Sequence, residues 1–129
     1  MKRKSISSVK KKAWSVFSLY IRNKYADWRG NVQCVTCPVS KPVKEMQAGH
    51  FIAGRGNSIL FLETNVHPQC YICNIRKHGN QLVYYRFMVR TYGEKEVKRL
   101  EKLSAKPRAF TVKELEELIK TYEMPHPIL

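Results

Sequence analysis

Large apolar residues recur at helical spacing early in the chain: Trp14, Phe17, Ile21, Tyr25 and Trp28 fall three or four positions apart. That period puts them on one stripe, predicting an amphipathic helix that ends near Gly30 with these side chains in the core. Gly30-Asn31 makes a turn, and "NVQCVTC" reads as a short strand. "PVSKP" turns the chain again, and "VKEMQAGHFI" is the next extended segment, ending at the glycines at 54 and 56. "GRGNSILFLETN" has an apolar middle but neither periodicity, so it reads as an irregular loop. After Pro68, "CNIRKHG" opens a short helix that Gly79 stops. Asn80 is placed to cap a further helix carrying Leu82, Tyr85, Val89 and Tyr92. "GEKEVKRLEKL" is another helical piece, and Thr111 with Glu114 forms a capping box ahead of Leu115, Leu118, Ile119 and Tyr122. The closing "MPHPIL" cannot continue that helix.

These elements predict an α+β, mainly helical fold. A helix precedes a small β hairpin with a crossing helix, and two or three helices pack after it. At 129 residues the chain suits one domain. Residues 1–12, with six Lys or Arg and no acid, are set apart as a basic N-terminal arm, either a solvated tail or a contact to phosphates. The single domain then spans 13–129, with a zinc-binding core at 34–80 and C-terminal helices at 81–124. No apolar run is long enough to span a membrane and the N-terminus lacks a signal-like segment, so a soluble, cytoplasmic protein is expected.

Charge changes the picture most. The chain carries 24 Lys+Arg against 10 Asp+Glu, a net +14, which calls for a polyanionic partner, nucleic acid ahead of anionic membrane. Ribosomal proteins and architectural DNA binders share such a composition, so charge names no activity. The cysteines narrow it. Cys34-x-x-Cys37 and Cys70-x-x-Cys73 supply four thiolates and leave no cysteine over, which suits one tetrahedral Zn²⁺ better than free thiols or a redox pair.

Between and just after the cysteine pairs lie His50 in "AGHF", Asn65 in "TNVHPQC" and Asn74 directly after Cys73. This order resembles the His-Asn-His/Asn, or HNH, endonucleases of the ββα-metal class. The stretch from "CVTC" through "EMQAGHFI", "NVHPQCYICN" and "KHGN" to "YGEKEV", residues 34–97, most resembles the phage lambda NinG (Rap) family of recombination endonucleases.

The resemblance implies that 34–80 is a zinc-stapled HNH core, and that the protein hydrolyses DNA phosphodiesters with Mg²⁺ or Mn²⁺. Its substrates would be branched recombination intermediates, such as Holliday junctions and D-loops, in a phage-infected bacterial cytoplasm. His50 would be the general base, since a neutral imidazole is competent near pH 7. Asn74 would offer its amide oxygen to the hard cation, unless it only caps the helix. Asn65 would tie the loop to the hairpin. Gln47 and His78, the latter four residues after Asn74, are candidate further ligands. His67 either touches metal or phosphate or is structural. No Asp stands beside His50, where many such nucleases have a charged ligand; Glu45 and Glu63 are the nearest acids. Arg55, Arg76, Lys77, Arg86 and Arg90 would line a phosphate-binding groove. Junction resolution would suit a homodimer. The rivals are a non-catalytic zinc-containing nucleic-acid-binding protein, which needs neither His50 nor Asn74, and an RNA-binding ribosome-associated protein.

Overall fold

The computed structural model describes residues 5–53 and 57–123. Arg55 with its flanking glycines, residues 1–4 of the basic stretch and the 124–129 tail therefore lie outside the described residues.

The first helix, α1 (Ile6–Lys24), begins inside the stretch read as an arm. Ser5 caps it by accepting from the Ser8 N–H at 3.2 Å. Its buried stripe is Val9, Ala13, Phe17 and Ile21, with Trp14 half-buried beside it. The helix stops at Lys24 because Asp27 builds a competing turn: its Oδ1 accepts from the N–H groups of Arg29 and Asn31 at 2.9 and 3.0 Å. Gly30 completes that turn at φ +80. Tyr25 and Trp28 thus leave the helical stripe and are exposed, which corrects their assignment to the core.

Two small antiparallel sheets follow. Strands β1 (Asn31–Gln33) and β2 (Ser40–Pro42) pair around the turn that carries Cys34 and Cys37. Strands β3 (Gln47–His50) and β4 (Val66–Gln69) pair with Gly49 opposite His67 and His50 opposite Val66. The segment between them is more ordered than its sequence suggested: α2 (Asn57–Leu60) buries Ile59 and Leu60, and a 3₁₀ turn spans Glu63–Asn65. After β4 comes a single π-helical turn, Ile72–Arg76, where a short crossing helix through "CNIRKHG" was expected.

Helices α3 (Gln81–Tyr92), α4 (Glu94–Ser104) and α5 (Val112–Glu123) complete the chain. The capping box before α5 forms as read. Glu114 N donates to Thr111 Oγ1 at 3.1 Å, and Thr111 N donates to Glu114 Oε1 at 3.0 Å. Asn80 sits at the N-cap of α3 but in the left-handed region, and its amide turns away from the helix. Among the described residues no helix is long and apolar enough to cross a membrane.

The β3–β4 hairpin is held between two helical layers. Ala48 and Val66 pack into a cluster with Val9, Ala13, Phe17 and Ile21 of α1 and Leu115 of α5. Past the other end of β3, Phe51 packs with Tyr84 and Met88 of α3 and Val97 and Leu100 of α4. A third cluster contains Val32, Met46 and three of the cysteines. This mixed helix-and-sheet arrangement fixes where the polar residues of the hairpin can point.

Candidate functional site

The cysteine pairs meet because Val35 N donates to the Pro68 carbonyl at 3.0 Å, docking the first turn on the end of β4. All four Sγ atoms lie within 4.8 Å of one another, and Cys37 and Cys70 are 3.6 Å apart. Thiolates about 2.3 Å from a tetrahedral Zn²⁺ stand about 3.8 Å from each other, so the donor set fits one zinc. The surroundings suit thiolate charge. Thr36 N points at Cys34 Sγ (3.4 Å), Cys73 N at Cys70 Sγ (3.5 Å) and Asn80 Nδ2 at Cys73 Sγ (3.6 Å). Asn80 also donates to the Thr36 carbonyl at 3.1 Å, so its amide serves the cysteine cluster and not the cap expected of it.

Asn74 follows Cys73 within the π-helical turn, and its Nδ2 donates to Gln47 Oε1 on β3 at 2.7 Å. That bond commits the amide nitrogen and leaves Oδ1 toward Gly49. A Cβ at Gly49 would lie 3.0 Å from Asn74 Oδ1 and 1.8 Å from Gln69 Oε1. Gln69 cannot yield, because it is fully buried and its Nε2 donates to Thr36 Oγ1 (3.0 Å) and the Gly79 carbonyl (2.9 Å). The glycine before His50 is thus dictated by close approach of two amide oxygens.

His50, at the end of β3, is half-buried. Its Nε2 lies 3.2 Å from the Leu60 carbonyl, which can only accept, so Nε2 carries the proton and Nδ1 keeps its lone pair. Trp14 stacks on the ring at 4.7 Å between centroids and 21° between planes. Burial holds the imidazole's pKa below its ordinary value, with the Leu60 carbonyl opposing, so the ring is neutral at pH 7. His50 and Asn74 line one open groove of about 950 Å³.

Asn65 is fully buried and ties the loop to the strand. Its Oδ1 accepts from Ile52 N at 2.9 Å, and its Nδ2 donates to the carbonyls of Ile52 (3.2 Å) and Ile59 (3.3 Å). The side chain is spent on backbone. His67 is structural too. Tyr84 Oη donates to the Gly49 carbonyl at 2.7 Å, so it accepts from His67 Nδ1 at 2.9 Å; His67 Nε2 then accepts from Tyr92 Oη at 2.7 Å. Burial of the ring first, and the Lys24 charge second, pull the His67 pKa down to about 4.

Other candidates stand elsewhere. His78 has φ +51 in an exposed turn, so it does not continue the helical face of Asn74 as its spacing suggested. Glu63 pairs with Lys24 at 3.0 Å and Glu45 is exposed on a 3₁₀ turn; neither lines the groove. The only group of three or more His, Cys, Asp or Glu positioned to share a metal among the described residues is the four cysteines. Arg76, Lys77, Arg86 and Arg90 are exposed but do not line the groove either. Its basic wall is Lys10 and Lys11 of α1, with Ser7 and Trp14. Positions 7, 10, 11 and 14 are a helical stripe, legible only once the helix is started at Ile6.

A family model described as Bacteriophage Lambda NinG protein matches residues 1–126. The chain is similar to protein ninG of Escherichia phage 933W and of Enterobacteria phage VT2-Sa, 26% identical over 114 residues in each case. It is 25% identical over 114 residues to protein ninG of Escherichia phage lambda. These matches cover 88% of this chain but 54% of the first two relatives and 53% of the third, so the chain spans about half the length of the curated relatives it matches. No solved structure matches it.

Proposed function

The chain belongs to the bacteriophage lambda NinG family, and on that premise we propose that it is an HNH-type DNA endonuclease, stapled by zinc, that acts on branched recombination intermediates. The observation that carries the reading is the convergence of His50 and Asn74 on one open, lysine-walled groove. A neutral imidazole with a free Nδ1 can take a proton from water as its oxygen attacks phosphorus and the P–O3′ bond breaks. The Trp14 stack and the Leu60 carbonyl hold that nitrogen in place, and Lys10 and Lys11 attract the backbone phosphates.

The resemblance also implies a catalytic Mg²⁺ or Mn²⁺. Asn74 Oδ1 would be its protein donor; Gln47 is bonded to the same side chain, and no carboxylate is among the groove's described lining residues. One amide oxygen is a weaker donor set than the one or two carboxylates that Mg²⁺ commonly takes from protein, so such an ion would depend on substrate phosphate and water for the rest of its coordination. When bound, such an ion would supply charge stabilisation to the phosphoryl oxygens and the leaving oxygen. Two chains acting together would suit the paired cuts of junction resolution.

The test is a cleavage assay with zinc-loaded protein on linear duplex, single-stranded and four-way-junction DNA, with and without added Mg²⁺ or Mn²⁺. Metal-dependent strand cleavage, greatest on the junction, is the expected result. DNA binding with no cleavage of any form under either ion would overturn the reading in favour of a non-catalytic zinc module.

A further inference from the structure

We propose that Trp28 and Arg29 form a preassembled platform on which an unpaired nucleobase stacks. Trp28 is 87% exposed, the most exposed large apolar side chain among the described residues. Among the described residues no packing accounts for it. The turn that presents it is nevertheless tightly built. Asp27 N donates to the Asn31 carbonyl at 2.7 Å and Gly30 N to the Asp27 carbonyl at 3.0 Å, beside the two N–H groups held by Asp27 Oδ1. Val43 N donates to the Gly30 carbonyl at 3.1 Å, anchoring the turn to the next element. The backbone that carries the indole is therefore firmly supported, and little backbone ordering remains to be done when a ligand arrives.

Arg29 sets the chemistry of that ligand. Its guanidinium lies 4.7 Å from the Trp28 ring centroid, so a cation and an aromatic face are offered together. On a chain of net +14 the occupant is a polyanion that also carries flat aromatic surfaces, which describes nucleic acid. In a paired duplex the base faces are already stacked on each other. Only unpaired bases, in single strands, gaps or branch points, leave a face for Trp28. The platform does not require cleavage, but it would direct the proposed nuclease toward DNA that has lost pairing.

The experiment compares full-length, zinc-loaded wild type with Trp28→Ala, Trp28→Phe and Arg29→Ala by fluorescence anisotropy, without added Mg²⁺. The probes are a fully paired duplex and the same duplex with a central run of unpaired thymines. Trp28→Ala should weaken binding to the unpaired probe by about tenfold or more, the scale of one lost base–aromatic stack. It should leave duplex binding nearly unchanged. Trp28→Phe should retain most of the affinity, and Arg29→Ala should lose part of it. Quenching by the unpaired probe beyond that by the duplex should be present in wild type and lost in Trp28→Phe, the duplex serving as the control for Trp14, the chain's other tryptophan, which lines the groove. Undiminished binding by Trp28→Ala, or an equal loss on both probes, overturns the proposal. So does quenching of Trp28 by anionic phospholipid vesicles with none by DNA. A Trp28 difference in a protein that cuts nothing would sink the nuclease reading alone.

Discussion

His67 shows how far a residue's role depends on what folds around it. In the sequence it stands two positions after Asn65 and three before Cys70, and nothing local separates a ligand from a buried histidine. The answer came from Tyr84 and Tyr92, whose hydroxyls close on both ring nitrogens from α3. Because the folded pKa of about 4 lies below the ordinary value, the neutral ring is the stabilising form. Its contribution, up to about 3 kcal/mol, is full above pH ~6.5 and is lost as the pH falls toward 4. Urea unfolding of wild type and His67→Phe across that window should show the stability gap narrowing as the pH drops. A gap independent of pH would contradict the relay. His50 and Asn74 were legible as candidates from their order around the cysteines. The Gln47–Asn74 bond was not, since it joins side chains brought together only by the hairpin and the cysteine cluster.

Among the elements, strongly patterned segments matched their prediction. The Thr111–Glu114 box starts α5, and the spacing of Phe17 and Ile21 lies within α1. The differences fell at element ends and in the shortest elements. Lys10 and Lys11 looked like tail because charge masks the period there, yet Val9 and Ala13 already face the core. Trp28 kept helical spacing, but the Asp27 turn overrode it. The segment 57–65 looked irregular because a four-residue helix and a 3₁₀ turn are too short to show a period. The β1–β2 sheet is smaller still, three residues a strand with an exposed β2, so it cannot hold itself together by burial. Metal analysis should therefore find about one zinc per chain. Chelation should expose the amides of 31–42 and 70–80 to hydrogen exchange before those of α1 and α5. Uniform protection in zinc-free protein would show that the cysteines do not staple these elements.

Across the whole molecule, the net +14 was visible at once, but its focus was not. Arg76, Arg86 and Arg90 are exposed in the fold but stand off the groove, whereas the groove with His50 and Asn74 takes its lysines from α1. Replacing Lys10 and Lys11 together by Ala should lower DNA affinity and flatten its dependence on salt, by a slope of up to about two if each neutralises one phosphate. An unchanged slope would place the DNA elsewhere on the surface. Under the proposed function this groove performs hydrolysis with His50 as the base. The most direct measurement is the single-turnover cleavage rate of zinc-loaded His50→Ala against wild type, at saturating four-way-junction DNA and with Mg²⁺. Wild type should cleave at a rate that rises with pH through an apparent pKa below the ordinary histidine value. His50→Ala should bind DNA and zinc as wild type does yet cleave at least about a hundredfold more slowly. Equal cleavage by the two proteins would rule out His50 as the base.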